Sequence, residues 1–271
     1  MIDNVCKFLA ESYSTDFASW LLGKPITLTK IEQSELAVEP IRADSVIFLE
    51  SAEIILHIEF QTESNQNIPF RMTDYRLRLY RKYPQRKVYQ VVIYLSPSKS
   101  PLVHETTFNL GELIHNFNVI RLWEQPTAIF QQYQGLLPFA TLSQTIAPEE
   151  TLRQVARQIE NIADQQLQSN VAASTAIISG IALSKEIIKR LLRSDIMKES
   201  VIYQEILHEG LVEGEAKGLA KGKAEERNQI ALNMLRSNLS LDVVAQLTGL
   251  TTKQVQKLHK LSAKKSQKPK K

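Results

Sequence analysis

Apolar and polar positions follow two different periods along the first hundred residues, and those periods predict the elements. Residues 3–22 (DNVCKFLAESYSTDFASWLL) set Val5, Phe8, Leu9, Phe17, Trp20 and Leu21 on or near one helical stripe, which Gly23 and Pro25 bring to an end. Three strand-like runs follow at about 35–41, 44–49 and 53–61. The third alternates cleanly, with Ile54, Leu56, Ile58 and Phe60 on one side and Ile55, His57, Glu59 and Gln61 on the other. After the turn SNQN, a strongly polar helix is predicted over about 68–83, stopped by Pro84. The β-branched and aromatic run 88–95 (VYQVVIYL) then predicts a buried strand. Residues 102–123 suggest two more strands joined at 109–111, with WEQP and LLPF as loop or short-helix material.

From 148 to about 207 the pattern is helical. Gly210, Gly214, Gly218 and Gly222 then recur at every fourth position. A glycine inside an exposed helix costs about 1 kcal/mol relative to alanine. Two readings stay open: a helix whose partner's backbone approaches closely, or a flexible charged linker. Farther on, SLDVVAQLTGLTTKQVQKLHKL has the pattern of a helix-turn-helix, with Ala245 where two helices cross, Gly249 at the turn and Val255 on the second helix. Thr251 or Thr252 would cap that helix, leaving Lys253, Gln254, Gln256 and Lys257 to face DNA; a plain helical hairpin fits the same letters.

The expected organisation is an α/β domain over 1–140, a helical region with the glycine repeat over 148–224, a helix-turn-helix-like segment over 225–261 and a disordered basic tail over 262–271. The 271 residues are 43% hydrophobic and 23% charged, which excludes collagenous and wholly disordered chains. The longest uncharged run, 165–184, is too rich in Gln, Asn, Ser and Thr to span a bilayer, so no membrane partner is expected. No basic-then-apolar leader opens the chain, and Cys6 is the only cysteine. Together these suggest a cytoplasmic address, in association with the nucleoid if DNA is the partner.

The net charge of +4 hides an asymmetry. Residues 253–271 hold eight lysines and no acid, so the remainder is acidic. Within it, residues 1–63 carry eleven acids and four bases, whereas 71–87 carry seven bases against Asp74 alone. An acidic segment beside a basic one fits a metal site next to a polyanion, and it also fits solvated faces and a flexible tail.

The acids give the pattern chemical content. Asp44 opens the second strand, while Glu59 and Gln61 share a face near the end of the third. If those strands form a hairpin, two carboxylates converge, as a hard divalent cation requires. Such an ion lowers the pKa of a bound water and stabilises charge on a phosphodiester, and Gln61 could position that water or a phosphate oxygen. On the following helix Arg71, Arg78 and Arg81 or Lys82 recur at near-helical spacing with Tyr75 and Tyr80 interleaved, which suits sequence-independent phosphate contact. An amphipathic helix packed through Met72, Leu77 and Leu79 would be arginine-rich outside as well. His57 shares the face of Glu59 and reads more simply as a packing or hydrogen-bonding group.

The strings RADSVIFLES and ILHIEFQTE, then PFRMTDYRLRLYRKYP and VYQVVIYL, resemble the PD-(D/E)XK nuclease superfamily, and more closely the recombination-promoting nuclease (Rpn), putative-transposase family. The resemblance covers about residues 1–140. It implies an αβββαβ core with a mixed sheet of the restriction-endonuclease kind, followed here by an all-helical extension. Asp44 would be the aspartate of the motif and Glu59-Phe60-Gln61 its (D/E)-X-K, making Asp44, Glu59 and Gln61 the catalytic set. Asp44 and Glu59 would hold Mg²⁺ or Mn²⁺, with Asp3 or Glu11 of the first helix as a further acid. Ala43 replaces the proline of the motif and Gln61 its lysine, as is common among Rpn relatives, which also often carry degenerate EG/KG repeats.

The expected function is therefore metal-dependent DNA cleavage linked to recombination or transposition, with no nucleotide cofactor. Cleaving both strands needs two active sites, so a homodimer is expected. DNA contact would come from Arg71, Arg76, Arg78 and Arg81 and from Lys253 and Lys257. The alternative is a catalytically silent DNA-binding or assembly protein that keeps the nuclease scaffold.

Overall fold

The computed structural model describes residues 2–31 and 46–266, so the strand expected at 35–41 lies outside the described residues. The chain forms two compact units, Met1–Ile206 and Leu207–Lys271.

The first unit is mixed α/β, built on a five-stranded sheet in the order β1-β2-β3-β4-β7. β1 (Thr29–Lys30), β2 (Val46–Glu50) and β3 (Ile54–Gln61) pair antiparallel in turn. Helix α3 (Ile68–Lys82) then carries the chain over the sheet, and β4 (Lys87–Tyr94) returns parallel to β3. Parallel neighbours need such a crossover, which is why a helix stands between these two strands. β3 is buried at every position but the last, so its clean alternation does not separate core from solvent. It separates two different kinds of cover.

The face bearing Leu56, Ile58 and Phe60 meets α1 (Ile2–Ser12) and α2 (Ser14–Leu22) in the main core. The single helix expected over 3–22 is two helices, parted at Tyr13, where φ −119° and ψ 40° leave the helical region. Gly135 explains the break. It presses against Tyr13 so closely that a Cβ on it would stand 2.3 Å from the tyrosine Cβ, and its N–H donates to Asp16 Oδ2 at 2.8 Å. Gly135 belongs to a 3₁₀ segment, Gln134–Leu142, buried throughout from Gly135 onward. That segment joins α5 (Pro148–Glu160) and α6 (Gln165–Ser179) in the core of α1 and α2. The boundary expected near 140 therefore falls inside one continuous core. α6 buries Ser169, Ser174, Thr175 and Ser179 alongside Val171 and Ile178, and among the described residues no helix is long and apolar enough to cross a membrane.

The opposite face is covered by α3, through Tyr75 and Leu79 on Phe48 and Ile55, and through Ile68 and Met72 on Val92 and Tyr94. Between 102 and 123 there are three strands rather than two. β5 (Thr107–Leu110) and β6 (Leu113–Asn116) form a separate hairpin about Gly111, whose φ is +62°. Burial of Phe117 splits off β7 (Asn118–Arg121), which extends the main sheet parallel to β4. Short helices α4 (Thr127–Gln131), α7 (Lys185–Leu191) and α8 (Ser194–Met197) complete this part of the chain.

Helix α9 (Val201–Arg236) runs without a break through all four glycines of the repeat. α10 (Leu241–Thr248) is capped by Ser240, whose hydroxyl accepts the Val243 N–H, and ends at Gly249 with φ +67°. α11 (Thr252–Ser266) begins with Thr251 and Gln254 in a reciprocal box: Thr251 Oγ1 accepts the Gln254 N–H at 3.3 Å and Gln254 Oε1 accepts the Thr251 N–H at 2.8 Å. Ala231, Val244 and Val255 form the small core of this second unit, with Ala245, Leu250 and Leu258 packed on it. The roles expected of Ala245, Gly249 and Val255 are met in that arrangement.

Candidate active site

Two rows of polar side chains meet between β3 and α3, in a layer that would ordinarily be apolar. Glu59 is fully buried. Arg71 reaches in from the first turns of α3 to pair with its Oε1, and Gln61 Nε2 donates to the same oxygen at 3.4 Å. Oε2 is buried with no hydrogen-bond partner among the described residues. Burial pushes the Glu59 carboxyl up to about 7, while the Arg71 guanidinium pulls it back. An unpaired carboxylate oxygen in a low-dielectric pocket is expensive, so this atom is either protonated near neutrality or meets a cation.

His57 lies two residues earlier on the same face. It is fully buried, 4.8 Å from the ring of Phe48 and edge-on to Tyr75 at 5.2 Å. Gln90, its register partner on β4, sets its proton. The Gln90 amide nitrogen donates to the Met72 carbonyl at 2.7 Å and lies 2.9 Å from His57 Nδ1; its oxygen stands 2.8 Å from His115 Nε2. A carbonyl can only accept, so the amide orientation is fixed and His57 Nδ1 accepts from it. The imidazole proton therefore sits on Nε2, which is buried without a partner. Burial first, then the positive Arg71 and His115, lower the His57 pKa to about 3. His57 is a neutral packing group, as its place in the sequence suggested.

An open cleft of about 490 Å³ adjoins the end of β3, lined by Gln61, Thr62, Glu63, Ser64, Asn65, Gln66 and Leu102. A second, of about 410 Å³, is lined by Arg76, Gln90 and His115 among others.

The expected residues are thus sorted by depth. Asp44 lies outside the described residues; Val46, the first described residue of β2, is the register partner of Glu59. Asp3 sits half-buried in the first turn of α1, where its charge adds to burial in raising the Cys6 thiol. Glu11 pairs with Lys30 at 3.6 Å. Among the described residues no three His, Cys, Asp or Glu side chains gather as a metal ion would need. Glu59 Oε2 is a single available donor there, so the described residues do not by themselves complete a site for a hard cation.

Of the arginines expected on DNA, Arg71 points inward to Glu59, Arg76 donates to the Val88 carbonyl at 3.0 Å and Arg78 pairs with Asp74 at 2.9 Å. Arg81 is exposed near the end of α3, and Lys253 and Lys257 are exposed on α11. The sequence reading missed Gln90 and His115. A lone Gln within VYQVVIYL was the available sign, since a buried strand tolerates an amide only where partners await it.

Comparisons with protein-family models, with curated proteins and with solved structures find no match for this chain.

Proposed function

We propose that this chain is a metal-dependent DNA endonuclease of the PD-(D/E)XK kind, related to the recombination-promoting nucleases. The buried Oε2 of Glu59, unpartnered among the described residues, on a carboxylate bonded to Gln61, which itself lines the cleft, carries the reading. The order α1, α2, β1–β3, α3, β4, antiparallel and then parallel, supports the core that the resemblance implies.

In this reading Asp44 and Glu59 hold Mg²⁺ or Mn²⁺, which supplies an activated water and charge neutralisation at the phosphodiester. Arg71 keeps the Glu59 carboxylate oriented through Oε1, leaving Oε2 for the ion. Gln61 orients the water or a phosphate oxygen by hydrogen bonding but cannot take its proton, because an amide does not titrate in this range. Arg81, Lys253 and Lys257 contact phosphates without reading bases.

A second reading, a silent DNA-binding scaffold, is favoured by one observation: Arg71 already pairs with the Glu59 carboxylate. Supercoiled plasmid with Mg²⁺ or Mn²⁺ separates the two. Nicking by the wild type that is lost in Asp44→Ala and in Glu59→Ala supports the nuclease; nicking that survives both removes this site. DNA retention without cleavage under either metal selects the scaffold.

A further inference from the structure

In the second unit, α9 leaves apolar side chains in water over several turns: Val212 is 52% and Leu219 62% exposed. A long helix with so little tertiary cover gains almost nothing from packing, which is where most helix stability in proteins originates. The same stretch carries glycines at 210, 214, 218 and 222, and a Cβ built on any of them meets nothing within 4 Å. This part of the chain is helical against its own propensity.

Positions 209, 212, 216, 219 and 223 recur at intervals of three and four, the spacing of a coiled-coil seam. Their residues are Glu, Val, Ala, Leu and Lys. The seam is apolar in the middle, acidic at one end and basic at the other. Its flank repeats the pattern, with Glu213 three residues before Ala216 and Lys217 directly after it. More broadly, the acids Glu209, Glu213 and Glu215 all precede Ala216, and Lys217, Lys221 and Lys223 all follow it. We propose that this seam is the docking face for α9 of a second copy of the chain, lying antiparallel with the two-fold axis beside Ala216.

Charge complementarity selects both occupant and direction. An antiparallel copy sets position 209 against Lys223, position 213 near Lys217, and Val212 and Leu219 about the small Ala216. A parallel copy would stack acid on acid and lysine on lysine along the whole seam, and like charges in contact are repulsive. The proposal stands apart from the nuclease reading, for it concerns a different unit and would hold for an inert scaffold.

Cysteine cross-linking in the full-length protein tests it. Antiparallel pairing puts the two copies of residue 216 side by side, while the copies of residue 223 stand about 21 Å apart along the axis, at 1.5 Å per residue. Ala216→Cys is expected to form an intermolecular disulfide at least tenfold faster than Lys223→Cys, with buried Cys6 as an internal control. Lys223→Glu is expected to weaken the dimer by roughly tenfold in light scattering, and Glu209→Lys in the same chain to restore it. A monomer at tens of micromolar, or equal cross-linking at 216 and 223, overturns the proposal. Ala216 and Lys223 are exposed on α9, and unchanged melting of the first unit would show that each variant folds.

Discussion

The two faces of β3 are buried to the same degree and are built on opposite terms. One presents Leu56, Ile58 and Phe60 to the main hydrophobic core, where Phe60 stacks on Phe139 at 5.8 Å and meets Phe17 edge-on at 6.3 Å. The other presents Ile55, His57 and Glu59 to α3, where a carboxyl is held up near 7 and an imidazole down near 3. Equal burial therefore does not mean equal contribution. The first face stabilises through area and contact, and the second holds ionisable groups that the fold keeps in place at a net expense.

Five changes test that contrast. The largest effect is expected on the apolar face: Phe60→Ala should destabilise by about 3–5 kcal/mol in denaturant unfolding, since it opens a cavity among three rings. On the polar face Gln90→Leu should follow at about 2–3 kcal/mol, because it strands the Met72 carbonyl and both histidines at once. A loss under 1 kcal/mol would mean that the amide organises nothing.

Glu59→Gln should do the reverse. The carboxyl is raised from 4.5 to about 7 on folding, so its contribution is fully present below pH 4.5 and is lost as pH rises through 7. The variant should therefore melt higher than wild type at pH 8, by the equivalent of about 1–2 kcal/mol, and no higher at pH 4.5, while abolishing metal-dependent nicking. His57 has the opposite sign. Lowered from 6.5 to about 3, it contributes stability above pH 6.5 that is lost as pH falls towards 3, so His57→Phe should flatten the acid limb of a stability-against-pH curve. The smallest effect belongs to the surface: Arg81→Ala should leave melting within 0.5 kcal/mol or so and reduce the salt slope of DNA binding by about one.

Much of the fold was legible because β3, α3 and β4 obey simple periods, and because Gly249 and Ser240 mark helix ends by local chemistry. The pattern could not show that Gly135 docks on Tyr13, a contact spanning more than a hundred residues, nor that LLPF belongs to the core. The site was half legible. Glu59 and Gln61 share a face by strand geometry alone, but Arg71 looked like a phosphate ligand because its letters sit in a basic helix. Its inward turn follows from where the helix lies on the sheet, which no local pattern records.

The clasp of Gly135 on the Tyr13 bend has a consequence in time. The sheet bearing Glu59 is complete by β7, yet the layer that seals its far face is finished only by the 3₁₀ segment, α5 and α6, ending at Ser179. At roughly 5–20 residues per second, α3 can cover Glu59 within seconds of its synthesis, while the layer on the opposite face waits several seconds longer. A chain stopped near residue 140 would lack α5 and α6 and leave the Leu56, Ile58 and Phe60 face of the sheet incompletely covered.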